Sequence, residues 1–134
     1  MAFGFSSLSF ADVNCINQTA EKQICVNDKV YSGFPLFVVP HTVERISDSG
    51  KVYFAHHVSE NGMRLNAHQK EDVYIASGCL SGFCVNSMVY STAHSYPDGA
   101  KVVAINFAKE KILVKDGNRV RKEDAEDLII VPQP

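Results

Sequence analysis

A chain of 134 residues can hold one ordinary domain or two very small ones. Its 46% apolar and 21% charged composition is that of a folded globular chain, and no run approaches the roughly 20 apolar residues of a membrane-spanning helix. The net charge of −2 arises from 13 basic and 15 acidic residues scattered over both halves, which leaves no electrostatic footprint for a phosphate backbone.

Residues 1–11, MAFGFSSLSFA, are small or apolar and uncharged. They end in Ser9-Phe10-Ala11, a small-x-small pattern of the kind cut on export, so the sequence predicts a truncated signal segment and a mature chain starting near Asp12. Two cysteines follow, Cys15 and Cys25. Runs of β-branched and aromatic residues then predict strands at 24–32, 42–47, 51–58, 63–66 and 73–76, with Ser49-Gly50 and Asn61-Gly62 as turns. Residues 77–82 form a short connection that contains Cys79. A second set of strands is predicted at 83–91, 100–106, 111–115, 118–121 and 128–131. Asp116-Gly117 supplies the positive-φ turn between the third and fourth of these, and 122–127 (KEDAED) fits one helical turn before the last. Pro35, Pro40 and Pro97 fall in the loops after each first strand, where a missing N–H costs no ladder bond.

The two sets are copies of one another. Cys25 to Ser32 reads CVNDKVYS and Cys84 to Ser91 reads CVNSMVYS, six of eight identical at an offset of 59. Weaker matches continue in order: Val43 and Ile46 with Val102 and Ile105, 51–54 with 111–114, 62–65 with 117–120, and 71–75 with 126–130. The domain reading is therefore a first repeat over 12–76, a linker over 77–82 and a second repeat over 83–134. Because each copy carries one cysteine at its first strand and one shortly upstream, the duplication selects Cys15–Cys25 and Cys79–Cys84 from three possible pairings. Barrels of about 50 residues bury little apolar surface, so such staples are physically useful, and they place the chain in an oxidising compartment, periplasmic or secreted.

Five short strands, a long first loop, a tight Gly turn, a helical turn and a closing strand resemble the SH3-like barrels, most closely their Tudor-like branch. The likeness rests on VNSMVYS, Pro97-Asp98-Gly99, Lys115-Asp116-Gly117-Asn118 and Asp127-Leu128. It implies an all-β fold of two tandem five-stranded SH3-like barrels, of a bacterial extracytoplasmic type, each with a helical turn before its last strand. The aromatic cage by which Tudor domains hold methylated cations is not matched, because Lys101 and Val102 stand at the strand-two positions. Gly-Trp, frequent in bacterial wall-binding SH3 domains, is also missing from a chain with no Trp.

The resemblance places a ligand between the first loop and the strand-three turn. Exposed aromatic and polar candidates there are Tyr31, Phe34, Phe37 and His41 in the first copy, and Tyr90, His94, Tyr96 and Asn118 in the second. Tyr31 and Tyr90 occupy one repeated position and equally suit the barrel core; Phe34 to Val39 is an apolar run suited to packing between the copies or to a partner. His56 and His57 are adjacent on a strand and point to opposite faces, so no metal site is expected, and no cofactor. With every cysteine assigned to a staple and no nucleophile elbow, no catalytic residues are assigned. The leading expectation is a non-catalytic binding or scaffold module for a protein or cell-envelope component. A nucleic-acid-binding protein using Lys109, Lys111, Lys115, Arg119, Arg121 and Lys122 is the alternative, and a small hydrolase or hydrolase inhibitor the third.

Overall fold

In the computed structural model the described residues are 11–32, 40–59 and 62–132. Residues 1–10 of the expected export segment, together with Phe34 and Phe37, lie outside them, as do the side chains of His56 and His57.

The chain is all-β. In the first copy, β1 (Asp12–Val13) precedes a hairpin of β2 (Cys15–Asn17) and β3 (Gln23–Cys25). After it come β4 (Lys29–Tyr31), β5 (His41–Thr42), β6 (Arg45–Ser47), β7 (Lys51–Ser59) and β8 (Gly62–Gln69). A 3-10 turn (Lys70–Asp72) leads to β9 (Tyr74–Ile75). The second copy repeats this with a hairpin of β10 (Cys79–Leu80) and β11 (Phe83–Cys84), then β12 (Met88–Ser91), β13 (Ala100–Asn106), β14 (Lys111–Asp116) and β15 (Arg119–Asp124). A 3-10 turn (Ala125–Asp127) and β16 (Leu128–Ile130) close it.

Each first strand is shorter than the sequence predicts. The continuous strands expected at 24–32 and 83–91 are broken by tight turns at Cys25-Val26-Asn27-Asp28 and Cys84-Val85-Asn86-Ser87. Asn27 and Asn86 take φ of 79° and 82°, a conformation that asparagine tolerates better than most side chains. Asp28 N–H donates to Cys25 O and Ser87 N–H to Cys84 O, while the Asp28 carboxylate and the Ser87 hydroxyl accept from the N–H of Cys25 and Cys84. The turns also dock on the second strand in the same way, Asn27 and Asn86 donating to Val43 O and Val102 O. The first half of the most repeated segment is thus a turn whose positive φ favours the shared asparagine, and the second half is the strand that follows it.

Residues 77–82, read as the linker, hold β10 and the turn into β11. Both hairpins are closed by disulfides, Cys15–Cys25 and Cys79–Cys84, each joining directly opposed residues.

In each copy the last strand lies beside the first, the first beside the second, and the second to fourth follow in order. The second strand is irregular at one place in both copies, and in the first copy its two parts fall in different sheets. It is interrupted between β5 and β6 in the first copy and bulged between Val102 and Ala104 of β13 in the second. The copies are not separate in their pairing. Ile75 of β9 stands between Val30 and Ile105, so a single eight-stranded sheet runs from one copy into the other.

Alternation along these strands sorts the side chains into three clusters. Ile24, Val30, Val43, Ile46, Val52, Phe54 and Val73 fill the first copy, with Ile75, and Phe83, Val89, Val102, Ile105, Ile112, Val114 and Leu128 occupy the matching places in the second. A third cluster is shared: Tyr31 and Tyr74 from the first copy pack on Val103, Ala104, Leu113 and Val120 of the second. Polar groups complete the weld. Gln18, buried, donates to Lys70 O and Val73 O and accepts from the N–H of Phe107. Asn106, also buried, donates to Glu71 O, and Lys109 pairs with Asp72.

Candidate functional site

Two concavities meet at Lys122 of β15. The first, of 430 Å³, is bounded by His94 from the loop after β12 and by Asn118, Arg119, Val120, Arg121 and Lys122. Gly117, at φ of 63°, makes the turn that brings Asn118 to its rim. Among the described residues β15 pairs only with β14, so the groove follows an open sheet edge. Arg119 and Arg121, two residues apart, sit on one face of this edge.

Beneath the groove Glu123 anchors the loop. Its side chain is 1% exposed, and its two oxygens accept from Ser91 Oγ at 2.9 Å, His94 Nδ1 at 2.7 Å and Tyr96 OH at 2.5 Å. Ser91 Oγ in turn accepts from the N–H of Ala93 and His94, forming a tight hydroxyl-capped turn. With Nδ1 committed to Glu123, His94 is left with Nε2 as its remaining polar atom, on a side chain 38% exposed. Burial, and then the bond to Glu123, raises the pKa of Tyr96, so its hydroxyl stays a donor.

The second concavity, of 640 Å³, opens between the copies and shares Lys122 with the first. Lys51, Asn66, Tyr74, Lys109 and Lys111 contribute to its walls. Two of these lysines are already spent, Lys109 on Asp72 and Lys111 on Asp124. Burial, with the nearby Asp72 and Asp124, pushes the pKa of Tyr74 up to about 12. Among the described residues no cluster of three His, Cys, Asp or Glu side chains is placed to hold a metal.

Six of the eight expected contact residues lie among the described residues, and the structure separates these six. His94 and Asn118 share the first groove, as their positions in the loop and the turn imply. Tyr96 is 4% exposed and supports the site from below, where an exposed contact is expected. Tyr31 is likewise buried, in the shared cluster. Tyr90 is 39% exposed but faces away with Ile129, its partner in register. His41 is half-buried, its ring 5.8 Å from that of Phe54, which stacks on His68 at 4.0 Å. Glu123 escaped the sequence reading because 122–127 suggests a helical turn, whereas β15 runs on to Asp124. Its only sequence signal is its alternation with Arg119 and Arg121.

No family model, curated protein or solved structure matches the chain.

Proposed function

We propose that the chain is a non-catalytic binding module that works outside the cytoplasm, built from two SH3-like units, and that the groove along β15 receives an extended acidic segment of a protein partner. The observation that carries this reading is a 430 Å³ groove on an open strand edge, with Arg119, Arg121 and Lys122 along it. An extended peptide can add to such an edge through main-chain hydrogen bonds, with cationic side chains selecting acidic residues. The SH3-like assignment is supported by the five-one-two-three-four strand order of each copy, and by the groove lying between the first loop and the strand-three turn. Export is supported by the two disulfides, which persist in oxidising compartments.

The test is an NMR titration with an eight-residue peptide alternating Glu and Val, against its Lys counterpart. Amide shifts confined to Asn118 through Lys122, from the acidic peptide alone, are expected, with a Kd on the order of 100 µM that weakens with salt. Arg121→Glu should raise that Kd at least about tenfold. No shifts on β15 would sink the reading. Tighter, steeply salt-dependent binding of a single-stranded oligonucleotide would replace it with nucleic-acid recognition, against which stands the pairing of Lys109 and Lys111 with acids.

A further inference from the structure

Among the described residues the exposed large apolar side chains are Leu65, Tyr90, Ile129 and Ile130. Three of them stand where the first copy holds its interface to the second. The pair Tyr90–Ile129 matches Tyr31–Tyr74, which packs on Val103, Ala104, Leu113 and Val120. Ile130 matches Ile75, the residue that pairs across to Ile105. The fourth belongs to the other half of that interface: Leu65, opposite Ala55, matches Val120, opposite Lys115. The exposed apolar residues of one chain are therefore the two halves of the contact that its own copies make with each other.

We propose that chains associate head to tail, the Tyr90–Ile129–Ile130 end of one seating the Leu65 face of the next as the first copy seats the second. The receiving face differs from its internal counterpart in a way that weakens it. At the places of Val103, Ala104 and Leu113 stand Glu44, Arg45 and Tyr53, with Arg45 4.6 Å over the Tyr53 ring. Arg45 is also tied to Asp12 of β1 at 2.7 Å, both side chains exposed. Moreover β1 fills the edge position that an incoming strand needs, since Val13 pairs with Ile46 as Ile75 pairs with Ile105. The two-residue β1 is thus a plug that an incoming β16 must displace. Because donor and acceptor faces differ, assembly of this kind does not close at two chains.

Sedimentation velocity over a concentration series tests this. The wild-type chain is expected to grow past the dimer. Ile129→Asp, which blocks the tail, and Leu65→Asp, which blocks the head, should each remain monomeric with an unchanged melting midpoint, both sites being exposed. Mixed in equal amounts, the two variants should form a complex of two chains and stop. Asp12→Ala, which unties β1, should lower the concentration needed for assembly about tenfold. Wild-type chains that stay monomeric or halt at a dimer, Leu65→Asp chains that pair with themselves, or a mixture that does not associate would each overturn the proposal, and an unaltered Asp12→Ala profile would overturn the displacement of β1.

Discussion

Glu123 accepts three side-chain hydrogen bonds with its carboxylate out of reach of water, so its removal strands Ser91, His94 and Tyr96 together. Glu123→Ala is expected to cost roughly 3 kcal/mol in urea denaturation, and Glu123→Gln, which keeps the shape and part of the bonding, about 1 kcal/mol. A smaller backbone effect belongs to Asn86, whose φ of 82° suits few side chains. Asn86→Ala should destabilise by about 1 kcal/mol in the same assay, while Asn86→Gly should stay within about 0.5 kcal/mol of wild type. The pattern CVN appears in both copies because this conformation recurs, yet the surrounding Val and Tyr residues read as an unbroken strand. Local propensity signals extended backbone at each residue, and nothing in a single Asn announces that the chain reverses there.

At the level of strands and hairpins, most of the outline was legible. The second-copy strands expected at 100–106 and 111–115 are found at Ala100–Asn106 and Lys111–Asp116, and the disulfide pairing follows from the duplication. What the repeat could not convey is which face each copy presents to the other. Tyr31 and Tyr90 occupy one repeated position with opposite fates, buried under the second copy or open to solvent, because only one of them has a neighbouring copy. The groove was legible through the loop and the turn that carry His94 and Asn118, but its floor was not, since Glu123 falls in a run of charges that reads as solvated. The hairpins make a further test. Their sequence separations are 10 and 5, and loop closure then favours the first: Cys15→Ser with Cys25→Ser should cost about 3 kcal/mol and Cys79→Ser with Cys84→Ser about 2 kcal/mol. Thermal denaturation without reductant checks the order.

For the molecule as a whole, a shared cluster, Gln18 and one continuous sheet tie the copies to each other. Calorimetry should show one transition, and Phe107→Ala, which removes a ring packed against both cores, should lower its midpoint without splitting it. Stability should also respond to alkali. The pKa of Tyr74 is held up to about 12, and those of Tyr31 and Tyr96 are raised, all chiefly by burial. An unfolded chain releases these protons near pH 10 while the folded chain keeps them. Stability is therefore full below pH 10 and falls as pH climbs toward 12, by on the order of 2 kcal/mol for Tyr74 alone. Tyr74→Phe should flatten that slope in a pH series of urea midpoints. The two clasped hairpins have a mechanical consequence. A crosslink hides the chain between its ends from any pull applied to the termini, and the hidden lengths here span 10 and 5 residue steps. Stretched to full extension in a force experiment, the oxidised molecule should come out shorter than its reduced form by roughly 40 to 50 Å, so thiol chemistry sets how far this protein can reach under load.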